Sequence, residues 1–167
     1  MIEVENGKPA LDFDGSNDFL DSALTVSTTD ISITSVQKFD NVSGGQLSIT
    51  ISEGSGQQLY FLYNNLNTFW NVYYLGTSSA LTADTNQNLV AFFTDGSATY
   101  YYKNGSTLGP AFTEGAISSN DPVRIGAWSG GSLNTAMKCQ EFIIWQNDKS
   151  GSRTGIETNI NTEFSIY

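Results

Sequence analysis

Apolar residues in this chain never run long. They come in short stretches that mostly alternate with polar residues, and each stretch ends in Gly, Ser, Asn or Asp. A period of two places apolar side chains on one face of a strand, and such breakers are turn formers, so the pattern dictates strands joined by tight turns rather than helices. Candidate strands are Ala10–Phe13, Phe19–Leu24, Ile31–Phe39, Gln46–Ser52, Gln58–Tyr63, Phe69–Leu75, Asn88–Thr94, Ala98–Lys103, Val123–Gly126 and Met137–Trp145. Turn clusters stand at Asp14–Asn17, Ser43–Gly45, Glu53–Gly56, Asp95–Ser97 and Ser129–Ser132. Many short strands without a long helix imply an all-β, two-sheet antiparallel β-sandwich. The 167 residues suit one domain spanning residues 1–167, with no linker and no internal repeat.

A helical period appears once, in SRTGIETNINTEF. Thr154 followed by Glu157 reads as a capping box, and Ile156, Ile160 and Phe164 recur on one face. A short C-terminal helix over about 154–164 is expected to close one end of the sandwich, with Ser165–Tyr167 returning as an edge strand.

Composition narrows the partners. Aromatic residues make up 13% and charged residues 14%, the reverse of a disordered chain. The net charge is −10 with 7 Lys+Arg, which repels a phosphate backbone and an anionic membrane, so nucleic acid is not an expected partner. No apolar run is long enough to insert in a membrane, and MIEVENGKPA lacks the apolar core of a signal peptide. Export would then rely on another route, such as release by lysis or an upstream region outside this chain. The chain has no histidine, which removes the commonest general base and zinc ligand. Cys139 is the only cysteine and stands in an apolar strand, where it reads as a small buried residue.

Four fragments in order carry a resemblance: ALDFDGSNDFLD, ISITSVQKF, NLVAFFTDGSATYYYKNGSTLG and VRIGAWSGGSLNTAMKCQEFIIW. Together they resemble the laminin-G-like jelly rolls of the concanavalin A-like lectin and glucanase superfamily. Val90, Asp95, Gly96, Asn104 and Gly105 match its hairpin pattern, and Arg124, Ile125, Gly126, Glu141, Ile144 and Trp145 its late strand. ENGKPALDFDGSNDFL and QNDKSGSRTGIETNINTEFSIY are similar to modules of bacteriophage virion proteins and large secreted bacterial proteins. Two positions depart from the pattern: Gln140 stands where relatives often carry a buried acid, and Gln37–Lys38 where many carry a tryptophan. The resemblance implies a concanavalin A-like jelly roll, located outside the cell or on a virion surface, and no particular activity.

Glucanases of that superfamily set acid and nucleophile at alternating strand positions. Here the alternating acids are Glu3/Glu5 and Asp12/Asp14, both away from any expected cleft, so no enzyme is expected and a glycoside hydrolase is the weakest reading. Asp14, Asp18 and Asp21, with the carbonyls of Gly15–Asn17, offer the hard oxygen ligands of a structural calcium ion; the same residue types also build ordinary tight turns.

The tyrosines of Tyr100–Tyr102 must split between two faces. The resemblance favours Thr99 and Tyr101 inward and Tyr100 and Tyr102 outward, at the cost of turning Lys103 inward. It also places Phe142 and Ile144 in the core, with Gln140 on their face by alternation, and leaves Ile143 and Trp145 outside unless the helix covers them. Exposed rings flanked by amides suit sugar binding, since aromatic faces stack on pyranose C–H groups. Tyr100, Tyr102, Trp70, Tyr73, Trp128 and Trp145 are the candidate stacking residues, and Asn64, Asn71 and Asn104 the candidate hydrogen-bonding residues. The expected role is a non-catalytic carbohydrate-binding or adhesion module for a cell-surface polysaccharide. The alternative is a virion decoration or fibre domain whose outer sheet contacts neighbouring virion proteins or forms a homo-oligomer.

Overall fold

The structure, a computed structural model, describes residues 1–28, 30–42, 46–52, 58–64, 69–74, 77–82, 84–108, 117–118, 122–128 and 134–167. The strands in the first half of the chain are β1 (Ile2–Glu5), β2 (Lys8–Asp14), β3 (Leu20–Asp21), β4 (Ser27–Thr28), β5 (Ile31–Phe39), β6 (Gln46–Ser52), β7 (Gln58–Asn64) and β8 (Phe69–Tyr74). They continue as β9 (Thr77–Thr82), β10 (Asn88–Thr94), β11 (Thr99–Lys103), β12 (Ser106–Thr107), β13 (Ile117–Ser118), β14 (Val123–Ile125) and β15 (Ala136–Trp145). A 3₁₀ turn at Ser150–Ser152 leads into helix α1 (Arg153–Phe164). The turn clusters expected at Ser43–Gly45, Glu53–Gly56 and Ser129–Ser132 lie outside the described residues.

Among the described residues the strands form two antiparallel sheets, ordered β1-β2-β15-β5-β10-β11-β12 and β3-β14-β6-β7-β8-β9, beside a small β4–β13 pair. They pack face to face as a jelly-roll β-sandwich. Ile33, Phe92, Tyr101, Met137 and Phe142 of the seven-stranded sheet meet Ile49, Ile51 and Val123 of the other in one core. Burial of this apolar surface is the main favourable term of the fold.

The seven-stranded sheet is covered on its other face too. Helix α1 lays Ile156, Ile160 and Phe164 on Val36 of β5 and Leu89 of β10. That explains why β5 and β10 are buried along nearly their whole length rather than at alternate positions. The helix therefore packs on the outer sheet face and not at an end of the sandwich, because the apolar stripe of the sheet lies there. The 3₁₀ turn starts the helix at Arg153, so Thr154 is already helical and does not cap; Glu157 pairs instead with Arg153. Ser165–Tyr167 is not a strand. Asn161 Oδ1 accepts the backbone N–H groups of Ile166 and Tyr167, both at 2.9 Å, and its amide donates to the Tyr167 carbonyl at 2.7 Å, which folds the tail onto the helix.

Two Asn-Gly turns close hairpins. Asn6 and Gly7 join β1 to β2, and Asn104 and Gly105 join β11 to β12, all four with positive φ, the geometry whose twist matches paired strands. In β15 the pairing with β5 shifts between Cys139 and Glu141, a β-bulge at Gln140. The bulge resets the alternation, so that Met137 and Cys139 before it and Phe142 and Ile144 after it all reach the core. Gln140 consequently leaves the Phe142–Ile144 face expected of it. Its amide donates to the carbonyls of Glu5 at 2.9 Å and Lys8 at 3.2 Å, pinning the β1–β2 hairpin.

Candidate ligand-binding surface

Strand β11 sits between β10 and β12, and its facing follows from register. Phe92 stands opposite Tyr101 and Phe93 opposite Tyr100. Thr99 and Tyr101 are buried at 0% and 1% exposure, Tyr101 against Phe92 with ring centroids 6.0 Å apart. Tyr100 is 37% exposed. Tyr102, on the same outer face, is half-buried: Phe93 meets it edge-on at 6.0 Å, and the Arg153 guanidinium lies 4.0 Å over its ring. Lys103 pairs with Asp84 at the strand end. Burial pushes the Asp84 carboxyl up, but Lys103, Asn88 and the Asn86 N–H together bring it below its ordinary value. The outer face of β11 thus offers one open ring and one ring already stacked by the helix.

Trp145 lies on this sheet face at the far side of β5, opposite Ser32, which in turn stands opposite Phe93. The Ser32 hydroxyl donates to the Asn147 carbonyl at 3.0 Å and accepts the Lys149 N–H at 2.8 Å, so the segment entering the helix covers the row between the two aromatics. Tyr100 and Trp145 accordingly open on opposite sides of that segment. Beside Trp145, an open groove of about 370 Å3 runs between β15 and α1, lined by Ile143, Ser152, Gly155, Ile156, Asn159 and Ile160 as well.

Asn104 spends its side chain on the start of β10, tying its turn to that strand. Its Oδ1 accepts the Leu89 N–H at 2.9 Å and its amide donates to Asn88 at 3.0 Å. Trp128 follows β14 on the other side of the molecule, half-buried, with its carbonyl accepting from Arg124 at 2.9 Å. Asn64 ends β7, and Trp70, Asn71 and Tyr73 lie on β8 of the six-stranded sheet, with Asn71 opposite Tyr63 and Tyr73 opposite Tyr60. Their side chains lie outside the described residues. The candidate residues therefore occupy two different sheets and do not form one platform.

The acidic candidates are engaged separately. Arg124 grips Asp21 with two hydrogen bonds of 2.5 and 2.6 Å, which hold its carboxyl below the usual range, and stacks 4.3 Å over Phe19. Asp14 accepts the Ser16 N–H at 2.7 Å, a local Asx turn, while Asp18 accepts the Asp14 N–H at 3.2 Å. Among the described residues no three His, Cys, Asp or Glu side chains gather to hold a metal ion, and Arg124 engages both carboxylate oxygens of Asp21. Glu5 pairs with Lys38, and Glu3 and Asp12 share Lys138 with Asp40. Cys139 is buried, and burial pushes its thiol up to about 12, which makes it inert. Among the described residues no helix is long and apolar enough to cross a membrane.

No protein-family model matches the chain, and no curated protein matches it. Solved structures do. CBM40 of the Ruminococcus gnavus IT-sialidase, bound to α2,3 sialyllactose, is similar with a TM-score of 0.67 at 12% identity, over 86% of this chain and 93% of that one. A Trypanosoma rangeli sialidase in complex with sialic acid gives 0.69 at 15% identity, over 95% of this chain and 29% of that one. The heptameric SAP-like pentraxin from Limulus polyphemus gives 0.64 at 14% identity, over 90% and 82%. At such identities the likeness shows a shared sandwich fold.

Proposed function

We propose that this chain is a non-catalytic carbohydrate-binding module, presented outside the cell on a secreted bacterial protein or on a phage particle. The observation that carries the reading is the match to CBM40 over 86% of this chain and 93% of that one, a sandwich whose structure holds sialyllactose. The exposed ring of Tyr100 supports it, as does the half-exposed ring of Trp145, which shares its groove with Ser152 and Asn159. The β8 residues Trp70, Asn71 and Tyr73, with Asn64 of β7 and Trp128, belong to the same proposal on the opposite sheet. Single-site affinity for a sugar unit would be weak, so multiple copies on a particle or a polymer would supply avidity.

A second reading rests on a different feature. Met1, Ile2, Val4, Leu11, Phe19 and Leu20 are exposed apolar residues on or beside β1 and β2, at an edge of the seven-stranded sheet, and β3, at an edge of the other. Such an exposed apolar cluster suits contact with another protein, as in a virion assembly or a homo-oligomer. A glycan array that includes both sialyllactose isomers, read beside the oligomeric state in solution, separates the two. Glycan capture by monomeric protein, reduced in a Tyr100→Ala, Tyr102→Ala double variant of intact fold, supports the carbohydrate reading. A silent array from an oligomer that buries the apolar edge supports the second.

A further inference from the structure

The groove between β15 and α1 holds features that the fold itself does not require. Gly155 sits inside a 12-residue helix, where glycine carries a propensity cost relative to alanine. Its backbone is ordinary helix, and a Cβ built there would meet nothing within 4 Å. Neither a turn nor a packed neighbour inside the chain asks for glycine at this position. Ser152 is the residue before the helix, yet its side chain makes no capping hydrogen bond. One turn beyond Gly155, the exposed Asn159 amide has no partner among the described residues. These three line one stripe of the helix, and across the groove from them stands the half-exposed Trp145.

We propose that this groove is a sugar subsite that takes a neutral pyranose. The proposal rests on the carbohydrate-binding reading and assigns it a place. The Trp145 indole supplies the stacking surface, with Ile143 and Ile156 forming the apolar floor. The Ser152 hydroxyl and the Asn159 amide face the ring hydroxyls, and the missing Cβ of Gly155 leaves the ring room to approach the helix. Among the described residues no ionisable side chain lines the groove, which argues for a neutral sugar over a sialic acid carboxylate or a phosphate. About 370 Å3 falls within the range of small-ligand sites and accommodates one or two sugar rings.

The test is a ¹H–¹⁵N NMR titration of the whole chain with methyl glycosides of neutral hexoses and a neutral oligosaccharide panel, using wild type and Gly155→Leu. Leucine at 155 fills the groove, and because nothing lies near that Cβ the variant should melt no lower than wild type. The expected result is a saturable shift of the Trp145 indole and Asn159 amide signals in wild type, at least tenfold weaker in Gly155→Leu at unchanged or higher melting temperature. Sugar binding that shifts other signals and survives Gly155→Leu overturns the subsite while leaving the carbohydrate reading intact. No shift with any glycan here, together with a silent array, overturns both. Trp145 shifts that follow protein concentration instead of sugar would make the groove a contact between copies and also overturn it.

Discussion

At the scale of single residues, the carboxylates tucked against the outer sheet face govern how the molecule responds to pH. The Glu141 carboxyl is raised by burial and by the nearby charge of Glu163, and its Oε2 has no hydrogen-bond partner among the described residues. Glu157 is raised by burial as well, against the pull of Arg153. A carboxyl whose folded pKa exceeds its unfolded value favours the fold below the unfolded pKa, and that favour is lost as pH rises through the folded value. Glu141→Gln should therefore raise the melting temperature near neutral pH and match wild type below about pH 4, where both side chains are neutral. Equal differences at both pH values would show that the charge is not the cause. With no histidine in the chain, no imidazole contributes to that response. Some residue assignments could be read from sequence because alternation allows only two answers: Tyr101 in, Tyr100 out. Others could not. The commitment of Asn104 to β10 and of Asp21 to Arg124 depends on partners 15 and 103 positions away. Gly126 is similar: its φ of +88 and the Phe13 ring 2.8 Å from a would-be Cβ demand glycine, a requirement that appears only once β14 meets β2.

At the scale of elements, helix α1 is what makes the seven-stranded sheet buried on both faces. Ile160 is 4% exposed and touches the Val36–Leu89 stripe. Ile160→Ala should lower the unfolding free energy by about 2–5 kcal/mol, the usual cost of such a cavity, as read by urea denaturation. A loss under about 1 kcal/mol would mean that the helix adds little to the fold. The Ile156, Ile160 and Phe164 spacing announced the helix and its buried face correctly, since that period is local. Its resting place was not readable, because nothing local distinguishes the end of a sandwich from the back of a sheet. Strands Ile31–Phe39, Gln46–Ser52 and Asn88–Thr94 match the structure to the residue. Strand β1 was missed although Asn6-Gly7 is a strong hairpin signal, because IEVE is too short and too acidic to register as a strand before its partner is known. The bulge at Gln140 is likewise invisible in a pattern that assumes strict alternation.

At the scale of the whole molecule, two sheets face each other, one helix covers the outer face of the larger, and the acids proposed for a metal site are engaged separately. Because Arg124 holds Asp21 and the described residues gather no metal cluster, chelation with EDTA should leave the melting temperature unchanged. A drop of several degrees would point to a structural calcium ion at Asp14, Asp18 and Asp21. The central claim is that the chain binds carbohydrate through aromatic stacking, and saturation-transfer-difference NMR tests it most directly. The protein, verified as a folded monomer, is mixed with soluble neutral oligosaccharides and with both sialyllactose isomers. The account predicts transfer concentrated on C–H protons of one ring face of a bound sugar, abolished by excess of the same sugar. Absence of transfer to every oligosaccharide would contradict it.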